Sequence, residues 1–200
     1  MDEIFYRGTL AVLIVAFFVI RAPSVLSAAK TEKVKEKQQT RERFLVFFNF
    51  IGMLGVPIVY ILTTWLDYFS LGIPDFLRLL GIIFFVMGLI LLIWVHRTLG
   101  EHWSMMLKIG SEHTLVTSGP YSRIRHPMYT YFYLMVISTA LISANLFVGA
   151  LGILTWTLLY MVRIDDEEAL MIEQFGEEYK AYMRRTGRLI PRFRKQDSVL

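Results

Sequence analysis

The chain has 200 residues, 55% of them hydrophobic and 19% charged, and a mean hydropathy of +0.49. A water-soluble domain carries about 45–50% apolar and about 25% charged residues, so the composition excludes an ordinary soluble protein and points to one membrane domain over 1–200. The absence of cysteine excludes disulfides, a thiol nucleophile, haem attachment and thiolate metal sites, and the net charge of +4 reads as Lys and Arg in cytoplasmic loops rather than as a nucleic-acid surface.

In chain order, the apolar stretch Gly8 to Ile20 follows Met1-Asp2-Glu3. It lacks a basic n-region and a small-residue cleavage pattern, so it reads as an uncleaved first span over 4–20. Residues 30–43 form a solvated, mixed-charge connector. Phe44 to Leu66 carries no charge and is interrupted only by Gly52, Gly55 and Pro57, which membrane helices tolerate when neighbours satisfy the freed carbonyls; this is the second span, 44–66. Leu79 to Val95 supplies the third, over 76–95, with Arg78 snorkelling to the interface. As one helix, the uncharged run Met128 to Val162 would extend about 50 Å at 1.5 Å per residue, against a hydrocarbon core of about 30 Å. It must fold back, and Ser143-Ala144-Asn145 is the turn that divides it into spans 127–143 and 146–162. The prediction is an all-α integral membrane protein with five transmembrane helices, the last two a helical hairpin.

The basic segments 21–43, 96–125 and the C-terminal tail fall on one side, which places the C-terminus in the cytoplasm and the N-terminus outside. From Ile164 to Arg185, Leu170, Ile172, Phe175, Tyr179 and Tyr182 recur at helical spacing among dense charges, predicting an amphipathic C-terminal helix closed by Gly187 and Pro191. Arg188, Arg192, Arg194 and Lys195 beyond it suit an anionic leaflet.

Chemistry concentrates in three cytoplasmic pieces: Gly110 to Tyr121, Arg123 to Tyr129, and Arg163 to Leu170. The hairpin should bring His126 close to Glu167. Pro127 suits the first position of a helix, whose free N–H groups attract a carboxylate or phosphate, although plain interfacial placement of Arg125 and His126 accounts for them equally well. Tyr129 shares a helix face with His126, and an interfacial aromatic belt explains Tyr129 and Tyr131 as readily. Arg163 and Glu167 suit an ordinary i to i+4 ion pair. Yet Asp165, Asp166, Glu167 and Glu168 together bring more negative charge than one arginine neutralises, which a cationic ligand would answer, or, on weaker grounds, Mg²⁺. His96, His102, His113 and His126 lack zinc-ligand spacing, and there is neither a P-loop nor a G-x-G-x-x-G. No metal is expected.

The patterns H-T-L-V-x-x-G-x-Y (His113 to Tyr121), R-H-P-x-Y (Arg125 to Tyr129), R-x-x-x-E-E-x-L (Arg163 to Leu170) and F-G-E-E-Y (Phe175 to Tyr179) resemble the isoprenylcysteine carboxyl methyltransferase family in order and spacing. The resemblance spans about Gly100 to Pro191, and the layout is similar to the short, five-span microbial members; Asn49 to Gly55, with Leu66-Asp67 and Ile73-Pro74-Asp75, is similar to an archaeal one. The resemblance implies a membrane enzyme that uses S-adenosylmethionine to methylate the α-carboxylate of a C-terminal prenylated cysteine, or a similar prenylated or lipid acid. It implies cofactor contacts at His113, Thr114, Leu115, Val116, Tyr121, His126, Pro127, Met128, Tyr129 and Glu167, a substrate contact at Arg163, and catalytic roles for Arg163 and Glu167. A further upstream contact has no counterpart among Leu107, Lys108 and Ile109. The cofactor elements would be 100–129 and 163–191, with the cytoplasmic loop and C-terminal helix forming the pocket. The expected partners are a lipid-like substrate and the bilayer, in the plasma membrane of a microbe or the endoplasmic reticulum of a eukaryote. Rival expectations are a phospholipid or other small-lipid methyltransferase, an NADPH-dependent sterol-type reductase and a non-enzymatic membrane scaffold.

Overall fold

The computed structural model describes residues 1–30, 40–99 and 114–192. Its regular elements are helices: α1 (Glu3–Lys30), α2 (Thr40–Phe50), α3 (Val56–Leu62), α4 (Asp75–Leu99), α5 (Pro127–Ser143) and α6 (Leu146–Arg185). Four stretches, Glu3–Leu26, Arg43–Leu62, Asp75–Leu99 and Leu146–Arg185, are long and apolar enough to cross a membrane; Pro127–Ser143 is apolar but shorter. No strand is present among the described residues.

α1 runs through Arg21 and Pro23 rather than stopping at Ile20. The Arg21 guanidinium lies over the rings of Phe17 and Phe132, 5.9 and 5.4 Å from their centroids. α2 and α3 form one rod, joined by the π-helical segment Ile51–Gly55. That segment meets α6 nearly backbone to backbone: a Cβ at Gly52 would stand 3.0 Å from the Leu151 carbonyl oxygen and closer still to the Thr155 side chain, the kind of approach small residues permit between membrane helices. The rod ends at Leu62, four residues before the predicted boundary, because Thr63 turns to extended backbone and its carbonyl is taken by Arg7 Nη1 at 2.6 Å.

Arg78 does not snorkel outward. It is 8% exposed, with Nε donating to the Ile142 carbonyl at 2.9 Å and Nη1 to Glu3 at 2.8 Å, and its guanidinium sits 3.6 Å from the centre of the Tyr6 ring. The acidic start of α1 thus supplies the partner that makes an inward arginine tolerable near the end of an apolar helix.

α5 packs against both α4 and α6. It ends at Ala144, which adopts the left-handed conformation (φ 46°), and Asn145 follows at once: its side-chain oxygen accepts from the N–H groups of Phe147 and Val148, both at 3.1 Å, while Nδ2 donates to the Leu66 carbonyl at 2.7 Å. A short polar side chain that caps the next helix is what this two-residue turn needs. The amphipathic segment after Val162 is not a separate helix. It continues α6 until Gly176, whose φ of 53° and ψ of −126° break the helix in a region open essentially to glycine. The chain then reverses, and beyond α6 an isolated parallel bridge joins Gly187 to Ile124.

Candidate active site

α5 begins at Pro127, and the residue before it, His126, has non-helical backbone. Arg163 and Glu167 lie where α6 leaves its uncharged stretch, which ends at Val162. Because α5 and α6 run side by side from the turn at 144–145, their far ends meet, and the predicted closeness of His126 and Glu167 is present: Nδ1 of His126 is 3.7 Å from Glu167 Oε2. Tyr129, one turn into α5, donates its hydroxyl to Glu167 Oε1 at 2.5 Å, and Arg163 approaches the same oxygen at 3.5 Å. Tyr129 is buried among its neighbours rather than standing in an interfacial belt. Its ring meets those of Trp156 and Tyr160, with centroids 5.4 and 5.3 Å away. The side chain of Glu167 keeps 18% of its surface exposed.

The next carboxylate has a different environment. Glu168 is 4% exposed; its Oε1 accepts from Arg125 Nε at 3.0 Å and His126 Nε2 at 3.2 Å, and its Oε2 pairs with Arg188. Burial alone would push its carboxyl up, but the hydrogen bonds from His126, Arg188 and Arg125 win and hold it well below the usual carboxylate range. In return Glu168 raises Arg188 beyond its already high value. Arg188 also reaches Asp165 at 3.1 Å. The charge surplus expected from four consecutive acids is therefore answered largely from within the chain, by Arg163, Arg125 and Arg188.

The ring of His126 lies between two carboxylates, so its imidazole is not free to receive an anionic ligand. In the first turn of α5 Pro127 carries no N–H, and those of Tyr129 and Thr130 donate to the His126 carbonyl at 3.0 and 3.2 Å, so the Met128 N–H remains the anion-attracting donor. Thr114, Leu115 and Val116 are non-helical, with Thr114 exposed and the other two half-buried. Tyr121 is fixed by its carbonyl, which accepts from the Tyr182 hydroxyl at 2.6 Å. Burial pushes its own hydroxyl up, helped by the charges of Tyr182 and Glu167, so it stays neutral beside the site. Pro127 is buried and Met128 half-buried against the core. His113 lies outside the described residues. Among those described, no group of three His, Asp or Glu would hold a metal ion.

Glu168, Arg125 and Arg188 were not among the expected contacts. The surplus of acids pointed toward partners for Glu168; nothing local pointed to Arg188, which reads as one of a run of basic tail residues.

Residues 80–173 match the model of the isoprenylcysteine carboxyl methyltransferase (ICMT) family. A protein-S-isoprenylcysteine O-methyltransferase of Tribolium castaneum is 28% identical over 168 residues, covering 79% of this chain and 58% of that protein. The Homo sapiens protein of that name is 38% identical over 79 residues, 40% of this chain and 28% of that one. A nickel-cobalt-cadmium resistance protein of Alcaligenes xylosoxydans xylosoxydans is 32% identical over 107 residues, 52% of this chain and 50% of that protein. The chain thus spans between about a quarter and three fifths of the length of these relatives. The solved structure of a eukaryotic intramembrane Ras methyltransferase, ICMT, superposes with a TM-score of 0.62 at 22% identity, covering 94% of this chain and 67% of that one, and so shares its fold.

Proposed function

We propose that this chain, supported as a member of the isoprenylcysteine carboxyl methyltransferase family by its match over residues 80–173, is an S-adenosylmethionine-dependent carboxyl O-methyltransferase acting at the membrane. Its acceptor is the α-carboxylate of a C-terminal prenylated cysteine or a similar prenylated acid. The observation that carries the reading is the contact of Tyr129 with Glu167 beside Arg163 and His126, which gathers residues of two of the family-like patterns at one end of α5 and α6.

The membrane arrangement belongs to the same proposal: one domain over 1–200 with five crossings, α5 and α6 forming a hairpin. The 17 residues of α5 reach about 25 Å at 1.5 Å per residue, which approaches the roughly 30 Å core. The N-terminus lies outside, and elements 100–129 and 163–191 face the cytoplasm, where a water-soluble cofactor arrives.

The donor set fits that cofactor. When bound, S-adenosylmethionine supplies an electrophilic methyl group on a sulfonium. Glu167, the partly exposed acid, would answer its ammonium or ribose hydroxyls, and the Met128 N–H, which follows Pro127 at the start of α5, would donate to its carboxylate. The ring of Tyr129, whose hydroxyl meets Glu167 and which packs against Trp156 and Tyr160, suits a cation without an oxygen ligand. The backbone of Leu115 and Val116 would bracket the adenine, and Tyr121 would close the loop end. Arg163 aims the acceptor carboxylate. A terminal carboxylate, with a pKa near 3.5, is already ionised at pH 7, so the residues need only orient and desolvate, and no general base is required.

An amine substrate needs a carboxylate beside its nitrogen; Glu168 and Asp165 are engaged by Arg188, so the exposed Asp166 is the acid that an amine acceptor would use. The deciding experiment is calorimetric titration of S-adenosylhomocysteine into the purified chain in detergent, with NADPH as comparison, followed by methyl transfer to N-acetyl-S-farnesylcysteine. Saturable binding of the first ligand and ester formation are expected. Binding of NADPH alone, or of neither by a folded sample, would overturn the proposal and leave the reductase or scaffold.

A further inference from the structure

We infer that Arg188 is a positioning residue of the cofactor pocket, acting through Glu168 on His126; the inference rests on the function proposed above. Arg188 holds His126 by two routes. Its carbonyl accepts the His126 backbone N–H at 3.1 Å. Its guanidinium pairs with Oε2 of Glu168, whose Oε1 accepts from the His126 ring at 3.2 Å. One tail residue thus fixes both the main chain that starts α5 and the imidazole beside it.

The strap around Arg188 is well anchored. The Gly187 N–H donates to the Arg123 carbonyl at 3.1 Å, the Arg125 N–H to the Gly187 carbonyl at 2.8 Å, and the Thr130 hydroxyl to the Leu189 carbonyl at 2.6 Å. Arg125 reaches back to the carbonyls of Met183 and Thr186 at 3.2 and 2.6 Å. Glu168 is the one acid of the 165–168 run that is fully buried, and a buried carboxylate persists only when its oxygens are matched by donors. Arg125 and His126 share Oε1, so Oε2 depends on Arg188. Without that partner Glu168 would rotate toward water, and its contact with Nε2 of the His126 ring would go with it. The other ring nitrogen faces Glu167, the acid assigned to the cofactor, so the disturbance falls first on cofactor affinity and reaches the acceptor side only through the Arg163–Glu167 pair.

The test uses the full chain in detergent and compares wild type with Arg188→Ala, Arg188→Lys, Glu168→Gln and, as an exposed basic control from the same tail, Arg192→Ala. The readouts are the Kd for S-adenosylhomocysteine and the KM values for S-adenosylmethionine and N-acetyl-S-farnesylcysteine. Losing one charged hydrogen bond predicts that Arg188→Ala raises the Kd and the cofactor KM about tenfold, with the acceptor KM and kcat within about twofold. Arg188→Lys should recover most of that loss, and Arg192→Ala should match wild type. Wild-type affinity in Arg188→Ala, or a fall in kcat at unchanged cofactor KM, overturns the inference. If Arg188→Ala does not fold, Arg188→Lys and Glu168→Gln decide: the lysine variant near wild type with a raised cofactor KM in the glutamine variant supports it, and an unchanged Glu168→Gln overturns it. A wild-type protein that binds no S-adenosylhomocysteine overturns the proposed function and this inference together, whereas wild-type binding that is insensitive to Arg188 overturns this inference alone.

Discussion

The Tyr129 hydroxyl donates to the Glu167 carboxylate at 2.5 Å, joining the first turn of α5 to the part of α6 beyond its uncharged stretch. Tyr129→Phe removes that bond and keeps the ring, whose contacts with Trp156 and Tyr160 hold its place. A hydrogen bond to a charged group contributes about 1.5–3 kcal/mol, so affinity for S-adenosylhomocysteine should fall roughly tenfold or somewhat more while thermal stability stays close to wild type. Unchanged affinity by calorimetry would show that Glu167 needs no help from Tyr129 to meet the cofactor.

Arg163 and Glu167 stand one turn apart with their charged atoms 3.5 Å from each other, yet they are assigned to different partners. Glu167→Ala and His126→Ala should weaken cofactor binding. Arg163→Ala should mainly lower turnover at nearly unchanged cofactor affinity, because the acceptor carboxylate loses its aim. Steady-state kinetics and calorimetry on the three variants separate these roles, and equal cofactor affinity in all three would refute the assignment.

How far the site was legible follows from which contacts are local. The approach of His126 to Glu167 needed only a helical fold-back of the run Met128 to Val162, which its excess length demanded, and the small polar turn at Ser143-Ala144-Asn145 located it. The clasp of Glu168 by Arg188 was not legible. It depends on the break at Gly176 and on the parallel bridge between Ile124 and Gly187, a chain reversal that leaves no periodic trace. Arg78 was misjudged for a similar reason: hydropathy sees an arginine near the end of an apolar run, whereas its burial depends on Glu3 and on the carbonyl of Ile142, far away in sequence.

The clasp should make the protein sensitive to acid in a defined direction. Glu168 titrates below its ordinary value of 4.5 in the folded chain, so above that value both folded and unfolded chains carry it ionised and its stabilisation is fully present. As pH falls through that value the unfolded chain takes up the proton first, and the stabilisation is lost progressively toward the lower folded pKa. Thermal unfolding in detergent between pH 7 and pH 3 should therefore show wild type losing stability below about pH 4.5 more steeply than Glu168→Gln, which lacks the titrating group. Parallel curves would mean that Glu168 is not held as the structure shows.

The break at Gly176 makes the last prediction, through a contrast with Gly8. A Cβ at either position would meet nothing within 4 Å, so crowding plays no part and only backbone preference distinguishes them. Gly8 lies inside α1, where replacing glycine by alanine lowers the entropy of the unfolded chain and should stabilise by about 0.5–1 kcal/mol. Gly176 sits at φ 53°, ψ −126°, which alanine reaches only at a cost on the order of 1–3 kcal/mol. Gly176→Ala should therefore lower the unfolding temperature, and it should do more. An alanine there favours the continuation of α6 as a straight rod, and a straight rod carries residues 187–189 away from Arg123, Arg125 and Thr130. Cofactor affinity should fall with stability in Gly176→Ala and stay at the wild-type level in Gly8→Ala. If Gly176→Ala destabilised the chain but bound S-adenosylhomocysteine as wild type does, the tail would be a structural strap that contributes nothing to the pocket.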